Sequence, residues 1–432
     1  MSDRTPAFWQ TISTLFQDAV AHAYLLHGNV HDYVPNGSYQ PLLPFLAARL
    51  MRGFDLIIQI DPSRGMDFPL GSQHRDLAAR LLGMDAPQTP PSSSIAAALG
   101  TGQEQGQSPR FPRGVREMSE LVDRLLTEPL LVAEGATKRP LRAAIIFTYG
   151  ELLIPDADLI QTDPLILGRL LQWARSPQVG RTHALFLVTE SLLSIHAELR
   201  RASSRWEPVE LSLPDAAERE RFIESRLEQY GDDLALADDL SPRQVAAMTG
   251  ALNLLQIEDV LMRGMGAGTL TPDLVTERKQ AIIRQEFADV LDVRDPRWNL
   301  LAVGGYAYLK DFLDQRLVQP WRKGRLAMGG ILMSGPPGTG KTQLAEALAG
   351  SAGVPFVVFA LSKILGQYVG NSERNLERAL KAILSLAPCV LFIDELDQVT
   401  NRGENGGNGV DNRVFASLLP GRVFQKGEQA GK

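Results

Sequence analysis

One cysteine stands in the 432 residues, Cys389, so no intrachain disulfide framework can form and the chain suits a reducing cytosol. It sits in "APCVLFIDELD" beside an apolar run, where it reads as a small buried hydrophobe rather than a reactive thiol. No uninterrupted apolar run reaches the roughly eighteen residues of a membrane helix, so no membrane partner is expected. The first residues, "MSDRTPAFWQ", have no basic region ahead of an apolar stretch, which argues against a secretory signal and for a cytoplasmic chain. Excess positive charge is lacking too. A formal net charge of -6, with no helix-turn-helix and no basic–aromatic stripe, gives no reason to expect a nucleic-acid partner. The H-E-x-x-H pattern of a metalloprotease is absent. His27 and His31 have i, i+4 spacing, but Gly28 and a strand-like setting argue against a helix, and no third metal ligand is evident.

What is present is an ordinary globular composition, 44% hydrophobic and 22% charged, in a chain long enough for two or three domains. The runs "AYLLHGNV" (23–30), "FDLIIQID" (54–61), "RAAIIFTYG" (142–150) and "HALFLVTES" (183–191) are short, bounded and rich in β-branched or aromatic residues, as buried parallel strands are. Helical spacing lies between them, in "PLLPFLAARLM" and "DPLILGRLLQWAR". Alternation of strand and helix predicts an α/β layered sheet over 1–232. The Pro-, Gly-, Ser- and Gln-rich stretch 85–114 reads as a mobile surface insertion. From 233 to 275 the strand signal fades into a small helical subdomain, with a Ser–Pro start at Ser241 and a break near Gly250. Thr271 and Pro272 open one more helix, 276–300 serves as linker, and a second alternating series fills 301–432.

That second series holds "SGPPGTGKTQ". Gly335, Gly340, Lys341 and Thr342 fit the phosphate-loop pattern G-x-x-x-x-G-K-[ST], with Pro336, Pro337, Gly338 and Thr339 between. The glycines let backbone N–H groups turn inward around phosphate oxygens, where a Cβ would obstruct. Lys341 supplies a point charge for the β- and γ-phosphates, and the Thr342 hydroxyl suits a Mg²⁺ ligand. "GGILMS" before the loop reads as a strand, and "TQLAEALAG" after it as a helix whose N-terminal dipole points at the same anion. About fifty residues on, Val390 to Ile393 read as a central strand that delivers Asp394 and Glu395 at its carboxyl end. Asp394 there can hold Mg²⁺ through its water shell, and Glu395 can orient or deprotonate an attacking water as the catalytic base.

From about Asn299 to Leu419 the chain resembles the large subdomain of an AAA ATPase. "LAVGGYAYLKDFLDQRLVQPW" is similar to that family's opening segment, which implies backbone near Gly304 and Gly305 against adenine. "SKILGQYVGNSERNLERAL" is similar to the segment joining the two nucleotide motifs, and the resemblance implies that Tyr368, Val369 and Gly370 line a central pore and grip a polypeptide. Leu376, Leu380, Ile383 and Leu384 lie on one helical face and read as core. The first half resembles the same architecture without its chemistry, as in certain cyanobacterial and chloroplast-encoded AAA proteins. Where a phosphate loop would follow the first strand it reads "LLHGNVHDYVPNG", and Thr148 and Tyr149 stand where an acidic pair would end a central strand, with Glu151 nearby as a structural or surface group.

The resulting expectation is a tandem P-loop NTPase-type α/β protein: two parallel sheets flanked by helices, with a helical lid between them. Its cofactors are ATP and Mg²⁺. The resemblance implies a ring homo-oligomer, a hexamer, that remodels polypeptide substrates by hydrolysing ATP to ADP and phosphate. The alternative is a nucleotide-gated scaffold with little or no turnover. An ATPase module takes about twice the length that remains after the loop, so the second module reads as incomplete. No sensor strand or arginine finger is recognisable after Asp397, and Arg413 and Arg422 match a finger by residue type only.

Overall fold

The computed structural model describes residues 5–84, 111–134, 137–156, 162–250, 252–287, 291–322, 330–336 and 338–360, then 379–380, 383, 386 and 389–394. The chain divides into two units, Met1–Leu213 and Pro214–Lys432.

The apolar runs of the first unit form the strands β1 (Ala23–Gly28), β4 (Leu56–Asp61), β8 (Ala143–Phe147) and β9 (Ala184–Val188). Between them lie the hairpin strands β2 (Tyr33–Asn36) and β3 (Ser38–Pro41), β5 (Gly65–Asp67), and the paired strands β6 (Leu131–Glu134) and β7 (Thr137–Pro140); β10 (Glu207–Leu211) follows. One six-stranded sheet results, in the order β10-β1-β9-β8-β4-β5. All its pairings are parallel except that of β5 with β4. The four runs show no polar alternation because both faces are covered. Ala23 and Leu25 of β1, with Ile145 of β8 and Leu187 of β9, enter one core with Trp173. Tyr24 and Leu26, with Ile146 and Phe186, enter the opposite core with Phe45. Helices Ser72–Leu82, Val115–Thr127 and Pro164–Arg175 cover the first face, and Ala7–Gln17 and Leu42–Leu50 the second. This is the helix–sheet–helix layering that the alternation predicts.

A buried histidine, His183, and a half-buried one, His22, carry a consequence for acid stability. His183, 5% exposed, accepts the Ala143 N–H at its Nδ1 (3.1 Å), and burial pushes its pKa down to about 4. Burial lowers His22 as well, against the opposing effect of its contact with the Trp173 carbonyl. A base whose folded pKa lies below its unfolded value near 6.5 stays neutral in the fold and charges on unfolding. Its contribution is therefore complete above pH 6.5 and declines as pH falls toward 4, by about 3 kcal/mol for His183. Denaturant titrations of the first unit between pH 7.5 and 4.5 should show this slope, and His183→Asn, which keeps an acceptor for Ala143, should flatten it. Equal slopes in both proteins would remove His183 as the cause.

In the second unit, helices Ala216–Tyr230, Pro242–Met248, Leu254–Ala267 and Pro272–Glu286 form the helical part. Asp215 with Glu218, Ser241 with Gln244, and Asn253 with Gln256 each form a reciprocal capping box, and Thr271 caps the fourth helix. The break near Gly250 falls between the second and third of these helices. The unit division lies between Leu213 and Pro214, whereas the sequence reading put it at 232. The reason is packing: the Ala216–Tyr230 helix lies against the Pro242–Met248 and Leu254–Ala267 helices, with Phe222 and Ile223 buried. Two short strands, β11 (Ala235–Leu236) and β12 (Thr269–Leu270), pair in parallel inside a stretch read as purely helical.

A three-stranded sheet follows, β13 (Leu291–Arg294), β14 (Phe356–Ala360) and β15 (Val390–Asp394), in that order. β14 and β15 are parallel; β13, which arises from the linker, is antiparallel to β14. Among the described residues, 330–334 of "GGILMS" form no strand and have no ladder partner, and Leu332 is 82% exposed. An apolar run becomes a strand only when its backbone groups find a neighbouring chain, and β15 is the last strand of this sheet among the described residues.

Candidate functional site

The phosphate-loop residues lie at the start of the helix Lys341–Ala352. Gly338 (φ 79°) and Gly340 (φ 81°) take left-handed backbone that a side chain would make costly. Among the described residues, nothing outside the immediate chain neighbours comes within 4 Å of where a Cβ on Gly338 would stand. Lys341 Nζ donates to the carbonyls of Gly335 (2.8 Å) and Pro336 (3.0 Å), and Thr339 Oγ1 donates to the Pro336 carbonyl (2.9 Å). The lysine thus spans the loop as a crossbar, with two of its three ammonium donors engaged by described residues. Leu344 N–H makes its helical bond back to Gly340 (2.9 Å), and Gly340 offers no side-chain cap. The N–H groups of the first helical residues are therefore left to a ligand or solvent, and Thr342 sits among them.

The helix is held on two sides. Ala345 and Ala349 share a core with Val354 and Phe356 of the sheet region, while Leu344, Ala347 and Leu348 pack with Leu300, Leu313 and Val318. It also lies against β15, whose last residue, Asp394, is exposed at the carboxyl end. In open α/β sheets ligands bind at the carboxyl ends of the parallel strands, which here are β14 and β15. Cys389, just ahead of β15, is half-buried, and burial pushes its thiol up to about 11, so it is inert at neutral pH.

The linker approaches the same helix closely. Leu300 N–H donates to Ser351 Oγ (2.8 Å), Arg297 N–H to Glu346 Oε1 (3.2 Å), and Arg322 to the Ser351 carbonyl (2.6 Å). A Cβ on Gly350 would stand 2.0 Å from the Trp298 carbonyl oxygen, so only glycine admits this contact. Further along, Gly304 and Gly305 (φ 71°) form a turn with nothing among the described residues within 4 Å of either Cβ position. Tyr306 closes that turn, and its hydroxyl donates to the Thr339 carbonyl in the loop (3.2 Å). The sequence reading did not single out Tyr306; a tyrosine directly after two glycines was the available signal. A cavity of about 570 Å³ beside Arg284, Arg294, Arg297 and Trp298 lies apart from the loop residues. Arg284 pairs there with Asp295, and Arg294 with Asp292, so its charges are largely balanced.

Pro337, Glu395, Tyr368, Val369, Gly370, Leu376, Leu384, Arg413 and Arg422 lie outside the described residues. Of the helical face containing them, Ile383 is buried and Leu380 half-buried.

The corresponding edge of the first sheet is built differently. The hairpin β2–β3, turning at Asn36–Gly37, occupies the segment between β1 and the helix Leu42–Leu50. Glu151 accepts a hydrogen bond from Thr189 Oγ1 (2.7 Å), which makes it structural. His27 lies within β1, and His31 Nε2 stands 3.3 Å from Glu190, which raises the pKa of His31. Asp61 is buried and accepts from the backbone N–H groups of Ser63 (2.8 Å) and Arg64 (3.1 Å).

Three family profiles match, in chain order. Residues 2–212 match the N-terminal Rossmann-like domain of an AAA+ chaperone, 217–288 the second helical domain of an AAA+ chaperone, and 331–423 the ATPase family associated with various cellular activities. Among curated relatives, the Peroxisomal ATPase PEX6 of Penicillium chrysogenum is 29% identical over 253 residues, which is 49% of this chain and 17% of the relative. The uncharacterized AAA domain-containing protein ycf46 of Trieres chinensis is 32% identical over 151 residues, 34% of this chain and 30% of the relative. Protein CdcH of Halobacterium salinarum is 28% identical over 276 residues, 56% and 36% respectively. The chain thus spans well under half the length of each. With an AAA+ chaperone N-domain, its helical partner domain and an AAA ATPase domain following one another, the chain belongs to the AAA+ ATPases.

Proposed function

We propose that Gly335–Thr342 hold the phosphates of ATP, that Thr342 and Asp394 hold Mg²⁺, and that Glu395 orients the water that attacks the γ-phosphate. The observation that carries this reading is the loop: two left-handed glycines and the Lys341 crossbar at the N-terminus of a helix packed on the strand ending at Asp394. Magnesium bound there would neutralise charge on the phosphate oxygens. The Gly304–Gly305 turn would face adenine. The reaction is hydrolysis of ATP to ADP and phosphate, coupled in the whole protein to remodelling of a polypeptide gripped by Tyr368 and Val369 in a ring, a hexamer, in the cytoplasm. No helix among the described residues is long and apolar enough to cross a membrane.

A second reading, a nucleotide-gated scaffold with little turnover, draws on the first unit. Its sheet is fully layered, yet a hairpin stands where a phosphate cradle would be. Calorimetry of the purified chain with MgATP tests the common premise, and a heat of association is expected. Turnover per chain that rises with protein concentration supports the ring remodeller, and stable ATP binding by a monomer supports the scaffold. No heat with ATP or a slowly hydrolysed analogue defeats both.

A further inference from the structure

We infer that Tyr306 is a positioning residue that fixes the separation between the base-binding turn and the phosphate loop, and so sets how much the adenine adds to triphosphate binding. This rests on the reading of Gly335–Thr342 as an ATP site. The turn at 303–306 is fastened at both ends. Lys310 Nζ donates to the Val303 carbonyl (2.8 Å), and Tyr306 Oη reaches across to the Thr339 carbonyl (3.2 Å). Between these points Gly304 and Gly305 present bare backbone, which suits a flat ring.

Tyr306 itself has φ 53° and ψ 33°, left-handed backbone that a bulky residue rarely adopts without something to hold it there. The residue is 53% exposed, so burial does not supply that restraint. Two restraints remain visible: its carbonyl accepts the Lys310 N–H (2.9 Å), which begins the helix Ala307–Leu313, and its hydroxyl bonds to the loop. The second reaches a residue outside the turn, and the loop keeps its own closure through Lys341 and Thr339.

A ligand that touches two subsites gains from both only when their spacing is already set; otherwise binding must first order it. Inorganic tripolyphosphate touches the loop alone. Loss of the Tyr306 hydroxyl should therefore weaken ATP and leave tripolyphosphate unchanged. One partly exposed hydrogen bond corresponds to about a threefold to tenfold change.

The experiment is calorimetry of MgATP and magnesium tripolyphosphate against the full chain, Tyr306→Phe and Tyr306→Asn. Phenylalanine keeps the ring, and asparagine tolerates the left-handed backbone without it. The inference predicts that both variants lose ATP affinity and retain tripolyphosphate affinity. A parallel loss of both ligands assigns the hydroxyl to the loop alone, and an unchanged ATP-to-tripolyphosphate ratio makes the bond incidental; either overturns the inference. Loss in the asparagine variant only assigns the effect to the ring and also overturns it. If the unaltered chain binds neither ligand, the ATP-site reading itself fails, which is a separate outcome.

Discussion

Lys341→Ala should weaken ATP binding by about tenfold to a hundredfold, while leaving the ligand-free fold as stable as before. Lys341 is the one cation that the described loop residues place in the proposed phosphate cradle, and its ammonium also bridges the Gly335 and Pro336 carbonyls. A charge-assisted bond to phosphate contributes about 1.5–3 kcal/mol. Losing it, together with the crossbar that shapes the loop, should lower affinity about tenfold to a hundredfold by the relation between free energy and Kd. The fold should not notice, because the loop is solvent-facing and the core contacts of the helix come from Leu344, Ala345, Ala347, Leu348 and Ala349. Thermal unfolding with and without MgATP separates the two effects. The unaltered chain should gain about 2.7 kcal/mol at a hundred times its Kd, and the variant about 1.4 kcal/mol or less at the same ATP concentration. A variant that binds ATP as tightly as its parent would remove the loop from the site.

Trp173→Ala should cost the first unit about 3–5 kcal/mol, the range for emptying a large aromatic site in a core. Trp173 is 1% exposed and stacks on Phe147 with ring centroids 6.1 Å apart and planes 15° from parallel. Its Nε1 donates to Asp123 Oδ1 (2.7 Å), tying the Pro164–Arg175 helix to Val115–Thr127. The change removes the sheet-facing ring and the inter-helix bond together. For a unit of this size the midpoint should fall by about 10 °C. MgATP identifies which transition is affected, since the ligand should raise the second unit's transition and not the first's. A loss under 1 kcal/mol would mean that neighbouring Leu170 and Leu125 collapse into the space.

The first sheet was legible because β1, β4, β8 and β9 are covered on both faces, which forces continuous apolar runs bounded by polar turns. The hairpin β2–β3 went unread although Asn36–Gly37 carries its turn signal, because Pro35 and Pro41 mask the strand pattern. The Ala216–Tyr230 helix was assigned to the first half since its polar sequence says nothing about which unit buries Phe222 and Ile223. "GGILMS" misled for a related reason: apolar composition marks a capacity for pairing, and pairing also needs a neighbour. At the site, the loop's glycines and lysine carry a fixed spacing that no other chemistry needs. The Tyr306–Thr339 bond joins distant residues through one hydroxyl, and leaves no periodic trace to read.

The hairpin in the first unit sets a limit on redesign. Writing a lysine and a threonine into 28–42 would install a phosphate-loop motif without creating a socket for it. Val34 and Leu42 are buried there, and the Leu42–Leu50 helix packs against both arms of the hairpin. Any attempt to revive nucleotide chemistry in this half must rebuild the whole corner, so the loss is written into its architecture and not merely into a few side chains.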